Sequence, residues 1–142
     1  MNLRSALTEH NEKLWVIGIP ENFLEEPLTP LPQIIDWFQN FLLTRFLFKN
    51  KHTVQFGEKL LMPSNGLTPT EKILVIGLGD RDTLDSAQSK EFTKILTQTL
   101  DELKEKKPWI IFPSGLPESF LNDFKKGKQG FENLNNSQVT AG

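Results

Sequence analysis

The hydrophobic positions of the chain gather into short unbroken runs, separated by longer stretches in which polar and apolar residues alternate at helical spacing. Leu14-Trp15-Val16-Ile17-Gly18-Ile19 is stopped by Pro20, Lys72-Ile73-Leu74-Val75-Ile76 runs into Gly77-Leu78-Gly79, and Trp109-Ile110-Ile111-Phe112 is stopped by Pro113. Runs this apolar, rich in β-branched and aromatic residues, predict strands buried on both faces. Proline closes such a strand because it cannot continue a buried ladder. Lys72 to Ile76, closed by two glycines, is expected to be the central strand of the sheet. Phe56 to Met62, ended by Pro63 and the turn Ser64-Asn65-Gly66, predicts a further strand, and Asn2 to Lys13 an edge strand or a loose lead-in.

Between these runs the period changes. Glu21 to Pro32 holds Pro27, Pro30 and Pro32 and reads as a loop, which a proline in the first turn converts into a helix from Gln33 to about Phe46. Gln33, Asp36, Asn40 and Thr44 form its single polar stripe, so most of its circumference is apolar and needs cover on more than one side. Either a loop or neighbouring helix supplies that cover, or Trp37, Phe41 and Leu42 meet another subunit or domain. A charged turn, Lys49-Asn50-Lys51-His52, follows. Asp85 with Gln88 predicts a capping box opening a helix to about Lys106, with Phe92, Ile95, Leu96, Leu100 and Leu103 inward and Lys90, Lys94, Asp101, Lys104 and Glu105 toward water. Lys104, Lys106 and Lys107 are expected in its last turn, complementing the helix dipole, with Pro108 as the stop. Pro117 to Phe124 predicts a short helix carrying Phe120, Leu121 and Phe124 on one side. Strand, glycine turn and helix in succession predict an α/β fold.

Composition narrows the function classes. A chain of 142 residues, 37% hydrophobic and 24% charged, is sized for one core-bearing domain, placed here at residues 1–126, with 127–142 as a flexible tail or interdomain linker rich in Gly, Asn, Gln and Ser. The formal net charge of -2 gives no overall field for nucleic acid or an anionic membrane, and Lys125, Lys126 and Lys128 read as a solvated cluster. The absence of cysteine removes thiol chemistry and disulfides and fits a cytoplasmic address, and no signal peptide or membrane span is expected.

Candidate chemistry concentrates after Ile76. Gly77-Leu78-Gly79 would let backbone amides approach a ligand, but Asp82 stands where a dinucleotide loop has its third glycine. Gly77, Gly79 and Asp80 are therefore kept as candidate ligand-binding residues, with close helix packing as the alternative use of the glycines. Asp80, Asp82 and Asp85 are turn and cap residues that could hold a divalent cation only with further ligands. His10 and His52 lack zinc-site spacing, and no serine lies in a nucleophile elbow, so no catalytic or metal residue is assigned.

Phe56-Gly57-Glu58-Lys59-Leu60-Leu61-Met62-Pro63, followed by Lys72-Ile73-Leu74-Val75-Ile76-Gly77-Leu78-Gly79 and a long helix, resembles the N-terminal domain of the leucyl aminopeptidase (cytosol aminopeptidase) family. The likeness is best from about Phe46 to Phe112, and the strand Leu14 to Ile19 with its proline loop fits the same layout. The family has a basic residue after the second glycine where this chain has Asp80. The resemblance implies a macro-domain-like fold: three layers, a mixed sheet flanked by helices on both sides. It places the chemistry in a separate C-terminal domain, where divalent metal ions are held around an Asn-Thr-Asp-Ala-Glu-Gly-Arg signature that this chain does not contain.

Two expectations follow from it. The first is a noncatalytic accessory domain of an aminopeptidase, with no cofactor of its own, serving assembly or active-site access and partnered by a catalytic domain or by further copies of itself. The second is a stand-alone macro-like module that binds a protein partner or holds an ADP-ribose-type nucleotide near Gly77, Gly79 and the loop after Phe112.

Overall fold

The computed structural model describes residues 12–21, 35, 42–49, 54–64, 69–105, 107–113, 116–127 and 139–141. In chain order these form β1 (Leu14–Pro20), α1 (Leu42–Lys49), β2 (Lys59–Pro63), β3 (Lys72–Gly79), α2 (Ser86–Leu103), β4 (Trp109–Phe112), α3 (Glu118–Gly127) and β5 (Val139–Ala141). The strands make one five-stranded mixed sheet in the order β2-β3-β1-β4-β5. β1 runs parallel to β3 and to β4, β4 runs parallel to β5, and among the described strands only β2 pairs antiparallel, against β3.

The middle strand is thus β1, not the run from Lys72, which lies one place to its side. Both are apolar on two faces, so hydrophobicity alone could not rank them; strand order depends on which connections cross over. All seven residues of β1 are buried. Successive side chains point to opposite faces, and the core divides accordingly. Trp15, Ile17 and Ile19 pack with Ile73, Val75, Trp109 and Ile111 beneath Leu43 and Leu47 of α1. Leu14 and Val16 pack with Leu74, Ile76, Leu78, Ile110 and Phe112 beneath Phe92, Leu96 and Leu100 of α2 and Phe120 and Phe124 of α3. The result is the expected three-layer α/β arrangement, helices on both faces of a mixed sheet.

The two cores hold different aromatic groupings. Trp15 and Trp109, paired across β1 and β4, stack edge to face with centroids 4.9 Å apart. On the other face Phe92 lies 5.7 to 5.9 Å from Phe112, Phe120 and Phe124, joining α2, β4 and α3. Pairs in this range contribute about 0.5–1.5 kcal/mol each beyond the area they bury.

Several boundaries differ from those expected, each for a local reason. β3 continues through Gly77 and Leu78 to Gly79, because Leu78 is fully buried under α2 and the glycines remain in the ladder with β1. β2 starts at Lys59, since Phe56 and Gly57 are spent on a turn. α1 extends to Lys49, so that lysine ends the helix instead of opening a charged turn. α3 extends to Gly127. α2 ends earlier than expected: Lys104 is its left-handed cap at φ 57°, donating its backbone N–H toward Asp101 and Leu100. Lys104 and Lys107 therefore lie beyond the last turn, and Lys106 is outside the described residues. Glu105 is not simply solvated, because its carboxylate lies 3.7 Å from the Lys72 ammonium.

α2 also buries Ser89, Thr93 and Thr99 alongside its apolar stripe. Their hydroxyls are satisfied locally: Ser89 Oγ donates to Phe120 O (2.9 Å), Thr93 Oγ1 to Ser89 O (2.8 Å) and Thr99 Oγ1 to Ile95 O (2.8 Å). Hydroxyls paired in this way can enter a core without the desolvation cost of an orphaned group. Within the segment expected to be a tail, Val139 to Ala141 pairs with Ile110 to Phe112 as an edge strand, the β-branched Val139 and Thr140 suiting the pleat.

Candidate functional site

In open α/β sheets ligands collect outside the carboxyl ends of parallel strands, where adjacent strands send their connections to opposite faces. Here β1 meets that condition on both of its sides, against β3, which leads to α2, and against β4. β1 leads to α1 on one face, whereas β4 leads to α3 on the other. The rim is formed by Pro20 and Glu21 at the end of β1, Phe112 and Pro113 at the end of β4, and Gly79 and Asp80 at the end of β3.

The local structure of each strand end follows from its residues. At the end of β1 the ladder with β3 skips a residue: Ile19 faces Gly77, while Pro20 faces Gly79. Beyond it, the Glu21 N–H donates to Gly79 O at 2.9 Å and ties the two strand ends together. Gly79 is held at φ 65°, a conformation in which an L side chain is strained. The chain then turns through a short 3-10 helix, Arg81–Thr83, capped by Asp80. The Asp80 carboxylate accepts from Asp82 N at 3.0 Å, and its carbonyl accepts from Thr83 Oγ1 at 3.0 Å.

The glycines of β3 approach their own chain. A Cβ on Gly77 would stand 1.9 Å from Gln55 O and 2.7 Å from Val54 Cγ1, and one on Gly79 would stand 3.2 Å from Phe56 Cβ. Gln55 to Glu58 forms a turn in which Glu58 N donates to Gln55 O at 3.0 Å with Gly57 at φ 79°, the pattern of a type II turn with glycine third. This turn is sewn to β3 by Gly57 N to Gly77 O and Gly77 N to Glu58 O, both 2.9 Å. The backbone of Gly77 is thus engaged by the turn. Of the three candidate ligand residues, Gly79 and Asp80 stand at the strand ends and Gly77 lies beneath the 55–58 turn.

Asp85 and Gln88 form the expected capping box: Gln88 N donates to the Asp85 carboxylate at 2.9 Å, and Asp85 N donates to Gln88 Oε1 at 3.2 Å. The Asp80 and Asp85 carboxylates are both engaged as caps, and Asp82 is exposed. Among the described residues no group of three or more His, Cys, Asp or Glu side chains is placed to hold a metal ion. Trp37 and Phe41 lie outside the described residues; Leu42 opens α1, and its side chain is not among those described. No described helix is long and apolar enough to cross a membrane.

The Gln55 to Glu58 turn and the β1–β4 divergence were not singled out from sequence. The first carries a signal, Gly57 at the third position of a four-residue turn directly before a strand. The second has none, because it exists only once strand order is known.

No protein-family model matches the chain, and no curated protein matches it in sequence. Solved structures do match in shape. The macrodomain of Mycobacterium tuberculosis DarG is similar over 95% of this chain and 91% of that one, with a TM-score of 0.66 at 11% identity. The macro domain of ganglioside induced differentiation associated protein 2 gives 0.58 at 14% identity, covering 90% of this chain and 73% of that one. A tomato leucine aminopeptidase gives 0.59 at 16% identity over 94% of this chain, which spans only 29% of that enzyme. At these identities the likeness concerns architecture alone, and it is consistent across the set: the chain has a macrodomain-like α/β fold, a mixed sheet with helices on both faces.

Proposed function

We propose that this chain is a macro-like binding module that takes an ADP-ribose-type nucleotide at the carboxyl edge of its sheet. The observation that supports it most is the divergence of the β1 and β4 connections to opposite faces, in a fold shared over nearly its full length with a macrodomain. The ligand would lie across the strand ends beside Pro20, Glu21, Gly79, Asp80 and Pro113. It would not displace the 55–58 turn from Gly77, because that turn is fixed to β3 at both its hydrogen-bonding groups. On this reading the chain binds its ligand but catalyses nothing by itself. Calorimetric titration tests it: ADP-ribose saturates a single site with measurable heat, and no saturation at millimolar ligand would dispose of the reading.

A second reading rests on the likeness to a tomato leucine aminopeptidase, of which this chain spans 29%. Under it the chain is the accessory N-terminal part of an aminopeptidase-type enzyme, supporting assembly or access, with metal-dependent chemistry in a separate catalytic domain. The mass of the native protein in its source cells separates the two. A species several times heavier than 16.3 kDa supports the second reading, and one at 16.3 kDa removes it.

A further inference from the structure

We draw no further inference here: the strongest candidate, the apolar surface given by Phe48 on α1 (78% exposed) and Leu61 on the edge strand β2 (45% exposed), divides between opposite faces of the sheet, and nothing in the structure shows what covers either side chain.

Discussion

Replacing Gly77 by alanine asks whether the glycines of β3 serve packing or a ligand. Its Cβ would stand 1.9 Å from Gln55 O and 2.8 Å from Gln55 C, and both are backbone atoms that cannot rotate away. To reach an ordinary contact of 3.4 Å, the turn must retreat by about 1.5 Å. A retreat of that size breaks the two 2.9 Å hydrogen bonds between Gly77 and residues 57 and 58. Two bonds at about 1 kcal/mol each and about 2 kcal/mol of overpacking are offset by about 0.4–1 kcal/mol from the less flexible unfolded chain. The net loss is about 3 kcal/mol. With a urea dependence of about 2 kcal/mol per molar, the unfolding midpoint of Gly77→Ala falls by about 1.5 M.

Gly18→Ala is the internal control. The atoms nearest its Cβ belong to side chains, Leu78 Cδ1 and Phe112 Cδ1 at 3.1 Å and Leu78 Cγ at 3.3 Å, and need to give by only tenths of an ångström. It should therefore cost about 1 kcal/mol. If Gly77→Ala unfolds within experimental error of Gly18→Ala, the 55–58 turn does not rest on Gly77. The glycine would then be free for another use.

Two cap variants test the ends of α2, by urea titration in each case. Asp85→Ala removes half of a reciprocal capping box and should cost about 1 kcal/mol, while Asp85→Asn keeps an acceptor and should recover most of it; equal stability of both with the parent would contradict the cap. Lys104→Gly relieves a left-handed residue at φ 57° and should stabilise by about 0.5–1 kcal/mol, whereas a loss of stability would mean that the lysine side chain contributes more there than its backbone strain costs.

The parts of the fold legible in the sequence are those set by local pattern. β1, β3 and β4 declare themselves as apolar runs closed by proline or glycine, and α2 by its Asp85–Gln88 signature. Tertiary context decided the rest. Ser89, Thr93 and Thr99 look like surface residues until the carbonyl that each hydroxyl reaches is known. Gly77 and Gly79 share one pattern, yet Gly77 is chosen for a close backbone approach and Gly79 for a positive φ as well. Neither requirement distinguishes a ligand from a neighbouring turn. The candidate site is less legible still, because the divergence between β1 and β4 depends on strand order.

Where a nucleotide sits on the sheet can be read residue by residue. ¹H–¹⁵N spectra of the labelled chain, recorded as ADP-ribose is added, report which backbone amides change environment. A nucleotide bound at the sheet edge gives saturable shifts confined to the strand ends, at Glu21, Gly79 and Asp80, with the amides of β2 unmoved. Shifts centred on β2, or none at millimolar nucleotide, would contradict binding at that edge.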